Sequence, residues 1–176
     1  MKILFLGDVV GRVGRQGIIE NLPKLRINWK IDLIVVNCEN ATSGIGLSPE
    51  HAKAIFAAGA DCITLGDHAF DQREMLSFIE KEPRIIRPLN FAKSAPGRGF
   101  YIASDTRGRK LLVTQVLGQV FMKRPFDDPF SAIEEVLRRH PLTGQVQASL
   151  VDMHCEATSE KMAMGHFFQF RSREEV

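Results

Sequence analysis

Hydrophobic residues in this chain fall first into three short runs, each cut off by a glycine or a polar group. Lys2–Leu6 ends at Gly7-Asp8, Ile31–Asn37 at Cys38-Glu39-Asn40, and Asp61–Leu65 at Gly66-Asp67-His68. Runs this short, apolar on every position and rich in β-branched residues, read as strands covered on both faces. Helical stretches separate them. One starts near Arg15, with Pro23 expected to interrupt it or open a new turn. A second is capped by Ser48-Pro49-Glu50 and runs to Ala58, stopping at Gly59. A third is predicted from Asp71 to about Lys81, with Asp71 as N-cap and Glu74 completing a capping box. Strand and helix in alternation predict parallel βαβ units.

The pattern then changes. Phe100–Ser104 and Lys110–Val116 flank Asp105-Thr106-Arg107-Gly108-Arg109, whose turn chemistry predicts a hairpin. Asp128-Pro129 caps a helix to about His140, and Val146–Asp152 reads as a further strand ending at Met153-His154. The expectation is a sheet of βα units joined to a second sheet built from hairpins, within one domain spanning 1–176.

Composition narrows the class. Hydrophobic content is 44% and charged content 25%, as in ordinary soluble domains, and the net charge of +2 is too small to argue for nucleic acid or an anionic membrane. No stretch approaches the roughly 18 apolar residues of a spanning helix, and the run at Ile3–Leu6 is too short for a signal peptide. Cys38, Cys62 and Cys155 show no CxxC spacing and lie in or beside apolar runs, so they read as buried, reduced thiols of a cytoplasmic protein.

Chemistry concentrates at strand ends. Asp8, Glu39, Asn40, Asp67, His68 and His154 each sit at or just past the end of a predicted strand, and parallel strands bring such ends to one edge of a sheet. Taken singly, each of these residues is an ordinary helix cap, turn residue or solvated histidine. Together they suit Mn, Fe or Zn better than Ca, which prefers oxygen alone. The loop Gly7-Asp8-Val9-Val10-Gly11-Arg12 lacks both the GxGxxG and the GK[ST] fingerprints of nucleotide loops, so its glycines are expected to turn the backbone and face Asp8 inward.

Gly7-Asp8-Val9-Val10-Gly11-Arg12, Asn37-Cys38-Glu39-Asn40-Ala41, Gly66-Asp67-His68 and His154-Cys155-Glu156-Ala157-Thr158-Ser159-Glu160-Lys161 resemble the calcineurin-like metallophosphoesterases. The nearest branch is the YmdB-like bacterial cyclic-nucleotide phosphodiesterases. The resemblance implies an α/β fold, a two-layer β-sandwich flanked by helices (αββα), with a dinuclear centre at one edge. It implies that Asp8 and Asn40 bind one metal, that Glu39 bridges, and that Asp67 and His154 bind the other. The metals would be Fe or Mn, with Zn or Mg as alternatives. His68 would protonate the leaving oxygen rather than ligate, and Arg12 would contact substrate phosphate. The implied substrate is a small phosphodiester or cyclic nucleotide such as 2′,3′-cyclic AMP.

Three departures qualify these expectations. Cys38 and Cys155 stand where the family pattern has small residues beside the implied ligands. The family pattern carries asparagine where this chain has Asp67. It also continues past Met162-Ala163-Met164-Gly165 into a further strand and a Gly-Thr-His-Thr-His segment, whereas here the charged run His166–Val176 closes the sequence. The expectation is therefore a fold lacking its last strands, weaker metal binding, poorer hydrolysis and a tendency to form homo-oligomers. The rival expectation is a catalytically weakened nucleotide-binding or regulatory member.

Overall fold

The computed structural model describes residues 1–142 and 144–174. Its elements are β1 (Ile3–Leu6), α1 (Gly11–Trp29), β2 (Leu33–Asn37), α2 (Pro49–Ala57), β3 (Cys62–Thr64), the single turn α3 (Met75–Phe78) and β4 (Ile85–Ile86). There follow β5 (Phe100–Ser104), β6 (Lys110–Leu117), α4 (Pro129–Arg139), β7 (Ala148–His154) and α5 (Thr158–Glu174). Strands β1 to β4 form one parallel sheet in the order β1-β2-β3-β4, and β5-β6-β7 form a second. The first sheet thus advances one strand at a time in one direction. With crossovers of constant hand, its helices gather on one face and leave the other free.

Alternation along each strand supplies the layers. Ile34, Val36 and Ile63 face a core shared with Leu22, Ile55 and Met75 of α1, α2 and α3. Leu33, Val35, Cys62 and Ile86 face the second sheet and pack on Ala103, Leu111 and Val113. The far face of that sheet is covered by α4 and α5, through Ile133, Val136 and Met164 against Leu112 and Val116. The expected helix–sheet–sheet–helix sandwich is the observed one.

Several expectations need correction. α1 begins at Gly11 rather than Arg15 and runs unbroken through Pro23. Its start is anchored by the Gly11 amide, which donates to the Asn40 carbonyl at 2.9 Å. The helix foreseen from Asp71 shrinks to Met75–Phe78, and the Asp71 carboxylate bonds His68 instead of capping. The imidazole outcompetes the cap. The second sheet is not made from hairpins alone: β5 and β6 are antiparallel, but β7 returns through α4 to lie parallel to β6. β4 and α5 were not foreseen, the one being two residues long and the other having no clear apolar stripe. Glu175 and Val176, the end of the charged run, lie outside the described residues.

Capping follows the sequence more closely elsewhere. The Ser48 side chain accepts from the His51 amide, and Asp128 accepts from the amides of Phe130 and Ser131. Cys38, Cys62 and Cys155 are buried and unpaired, and burial pushes all three thiols up from their ordinary range.

Candidate metal centre

Strands β2, β3, β6 and β7 run in one direction and end together, so the loops that follow them meet on one rim of the sandwich. Asp8, Glu39, Asn40, Asp67, His68 and His154 all line a single cleft there, of about 660 Å³. All six predicted centre residues are therefore assembled by the fold. Arg12 is exposed on the first turn of α1 and does not line this cleft.

The three innermost groups are Glu39, Asp67 and His154, each offering one ligand atom within 4.8 Å of the others. His154 Nε2 lies 3.3 Å from Asp67 Oδ1 and 3.4 Å from Glu39 Oε2. Glu39 Oε2 is buried yet has no hydrogen-bond partner. An orphaned carboxylate oxygen inside a protein is unfavourable unless something electropositive completes it. Gly66 makes room for that oxygen: a Cβ built there would stand 1.6 Å from Glu39 Oε2, and the backbone has φ +82°. A divalent ion satisfies all of these demands at once, and the N/O donor set suits a transition metal.

Charge distribution agrees. Burial pushes the Glu39 carboxyl up to about 7, against the pull of His154. The bond from His154 holds Asp67 below the usual carboxylate range. Burial alone would lower His154, but its bond to Asp67 and the Glu39 charge outweigh this and raise it.

Asp8 stands outside the three-residue cluster and is joined to it by Asn40, whose amide donates to Asp8 Oδ1 at 2.8 Å and Glu39 Oε1 at 3.2 Å. The turn that delivers Asp8 is made by the aspartate itself, at φ +47°, with Gly11 at φ +57°. The loop's glycines were expected to provide it, and Gly11 shares the task with Asp8. Asp and Gly are the residues that tolerate this left-handed region. His68 Nδ1 is 2.6 Å from Asp71 Oδ2, which orients the ring and leaves Nε2 as its other polar atom.

Sequence reasoning missed the layer directly beneath. Asp152 Oδ2 accepts from Asn37 Nδ2 (2.9 Å), Thr64 Oγ1 (2.6 Å) and Gln115 Nε2 (2.7 Å). Gln115 Oε1 in turn accepts from the amides of Leu65 and Gly66, and Asn37 Oδ1 from the amide of Glu39. One polar knot therefore ties the strands carrying Glu39, Asp67 and His154. The available signal was a polar residue following apolar ones at two-residue spacing in Leu33-Val35-Asn37, Cys62-Thr64, Leu111-Val113-Gln115 and Leu150-Asp152.

Comparison with known proteins places this geometry in context. A family model described as YmdB-like protein matches residues 4–173. The chain is 38% identical over 173 residues to a 2′,3′-cyclic-nucleotide 2′-phosphodiesterase of Bacillus subtilis, covering 98% of this chain and 64% of that one. A solved structure of a hypothetical protein from Thermus thermophilus superposes with a TM-score of 0.86 at 38% identity, covering 95% of this chain and 63% of that one. A solved structure titled as a novel phosphatase from Mycoplasma pneumoniae gives 0.84 at 34% identity, covering 96% and 60%. The chain thus spans somewhat less than two thirds of the length of these relatives.

Proposed function

Because the chain belongs to the YmdB-like protein family, we propose that it is a metal-dependent phosphodiesterase of cyclic nucleotides such as 2′,3′-cyclic AMP. The observation that carries this reading is the orphaned Glu39 oxygen facing His154, with Asp67 beside them, at the end of the sandwich. The Bacillus subtilis relative's own name supplies the substrate class.

In this reading Glu39, Asp67 and His154 would hold one ion, and Asp8 and Asn40, with Glu39, would hold a second. Mn or Fe fits the donors, with Zn or Mg as alternatives. Such ions, when bound, neutralise phosphoryl oxygens and lower the pKa of water. The protein's own groups do the rest. Glu39 and His154 must each give up a proton before they can ligate, since burial favours the protonated carboxyl and the bond to Asp67 the protonated imidazole. Asp71 fixes the His68 ring through Nδ1, so that Nε2 is the atom that hands a proton to the leaving oxygen. Hydrophobic packing beneath and the polar knot keep the ligands from drifting apart. The buried, unpaired cysteines support a reducing, cytoplasmic setting, and no helix among the described residues is long and apolar enough to cross a membrane.

The test is turnover of bis-p-nitrophenyl phosphate and 2′,3′-cyclic AMP with and without Mn. His68→Ala should lower kcat by about a hundredfold or more while metal analysis stays unchanged. Hydrolysis that survives chelation, or survives His68→Ala, would refute the assignment. Nucleotide binding without turnover would favour the regulatory rival.

A further inference from the structure

The loop between β6 and α4 carries a residue that neither the fold nor the metal ligands account for. Phe121 is 83% exposed. Its backbone sits at φ +64°, a region that a bulky side chain rarely occupies. Exposure and conformation both work against folding, so the residue gains nothing for the isolated chain by being there. It also lines the same cleft as Glu39, Asp67 and His154, next to Lys123.

The loop is held firmly at both roots. Asn90 donates from Nδ2 to the carbonyls of Leu117 and Asp127, each at 2.8 Å, and accepts from the Leu117 amide at 2.9 Å. Glu160 accepts from the amides of Gln119 and Val120, at 2.8 and 3.3 Å. Phe126 stacks on Phe91 with ring centroids 5.5 Å apart. The aromatic ring of Phe121 is therefore presented by a braced segment rather than by a loose one. The cleft, at about 660 Å³, has the size of sites that take whole small molecules, well beyond a bare phosphate.

We propose that Phe121 is the platform on which the nucleobase of the substrate stacks while its phosphate lies over Glu39, Asp67 and His154. The inference rests on the phosphodiesterase reading for the position of the phosphate. It makes the substrate a phosphodiester bearing a flat aromatic base, and it favours purines, which offer the larger face. Stacking of a base on an aromatic side chain is sequence-tolerant, because every base has a π-face.

Equilibrium binding to the Mn-loaded chain distinguishes the alternatives, with 3′-AMP and the base-free glycerol 2-phosphate as probes. The wild type should prefer 3′-AMP by roughly tenfold to a hundredfold, and Phe121→Ala should collapse that preference toward one. Phe121→Trp should keep the preference, and its indole emission should be quenched by 3′-AMP but not by glycerol 2-phosphate. A preference that survives Phe121→Ala, or a wild type that binds both probes alike, would overturn the stacking role and leave the hydrolase assignment standing. A Phe121-dependent preference in a chain that turns over neither 2′,3′-cyclic AMP nor glycerol 1,2-cyclic phosphate would support stacking and defeat the hydrolase assignment. Failure to bind either probe would overturn both.

Discussion

The space between the two sheets is apolar at one end and polar at the other, and the change happens at the same level on β2, β3, β6 and β7. Toward the strand starts, Leu33, Val35, Cys62, Leu111 and Val113 meet with nothing to satisfy but volume. One pleat further, Asn37, Thr64, Gln115 and Asp152 meet, and every member is specified by its partners. The first region draws its stability from area removed from water and tolerates small changes of shape. The second is a network in which one lost acceptor strands several donors. Cohesion belongs to the apolar end, and placement of the candidate metal ligands to the polar end.

The strongest way to break this contrast is Asp152→Ala. It deprives three side-chain donors, two of them on fully buried residues, of one acceptor. Urea unfolding should show a loss of about 3–5 kcal/mol, with metal affinity falling at least roughly tenfold. A change within about 1 kcal/mol, close to what surface substitutions produce, would remove the knot's special status.

Next in size is Glu39→Gln, which should weaken metal binding by about a hundredfold in calorimetric titration. It should also change the pH behaviour of the metal-free protein. The folded Glu39 carboxyl is raised from 4.5 to about 7, so its contribution to stability is fully present below about pH 4.5 and is lost as pH rises through 7. Cation uptake runs the other way and tightens over the same interval, because the proton must leave. In Glu39→Gln the stability dependence should flatten, which unfolding midpoints at about pH 5 and about pH 8, on either side of the titration, would reveal.

The smallest effect is expected at the apolar end. Leu111→Met keeps the volume of a fully buried side chain and should cost about 1 kcal/mol, with no change in metal affinity. A measurable loss of metal binding there would show that the two ends are not separable.

Much of this was legible because strand ends are abrupt in the chain. An apolar run that stops at glycine and acid, as before Asp8 and Asp67, or at a polar group, as before Glu39 and His154, marks an element boundary and a candidate ligand, so all four could be located in the sequence. The knot was hidden for the opposite reason: Thr64, Gln115 and Asp152 lie inside strands, where a single polar residue looks like ordinary alternation. Only the pairing of two sheets makes them neighbours. Asp71 misled because a capping box and a histidine partner use the same residue at the same spacing, and only the folded backbone decides between them. Phe121 was invisible, since no periodicity distinguishes an aromatic held out over a cleft from one folded into a core.

The three innermost groups of the cleft come from both sheets. Glu39 and Asp67 follow strands of the first sheet, while His154 closes β7 of the second. An ion gripped by all three is a rivet through both layers, and neither layer alone can chelate it. Loading the centre should therefore resist mechanical separation of the sheets, so that the occupied molecule gives way at a higher pulling force than the empty one.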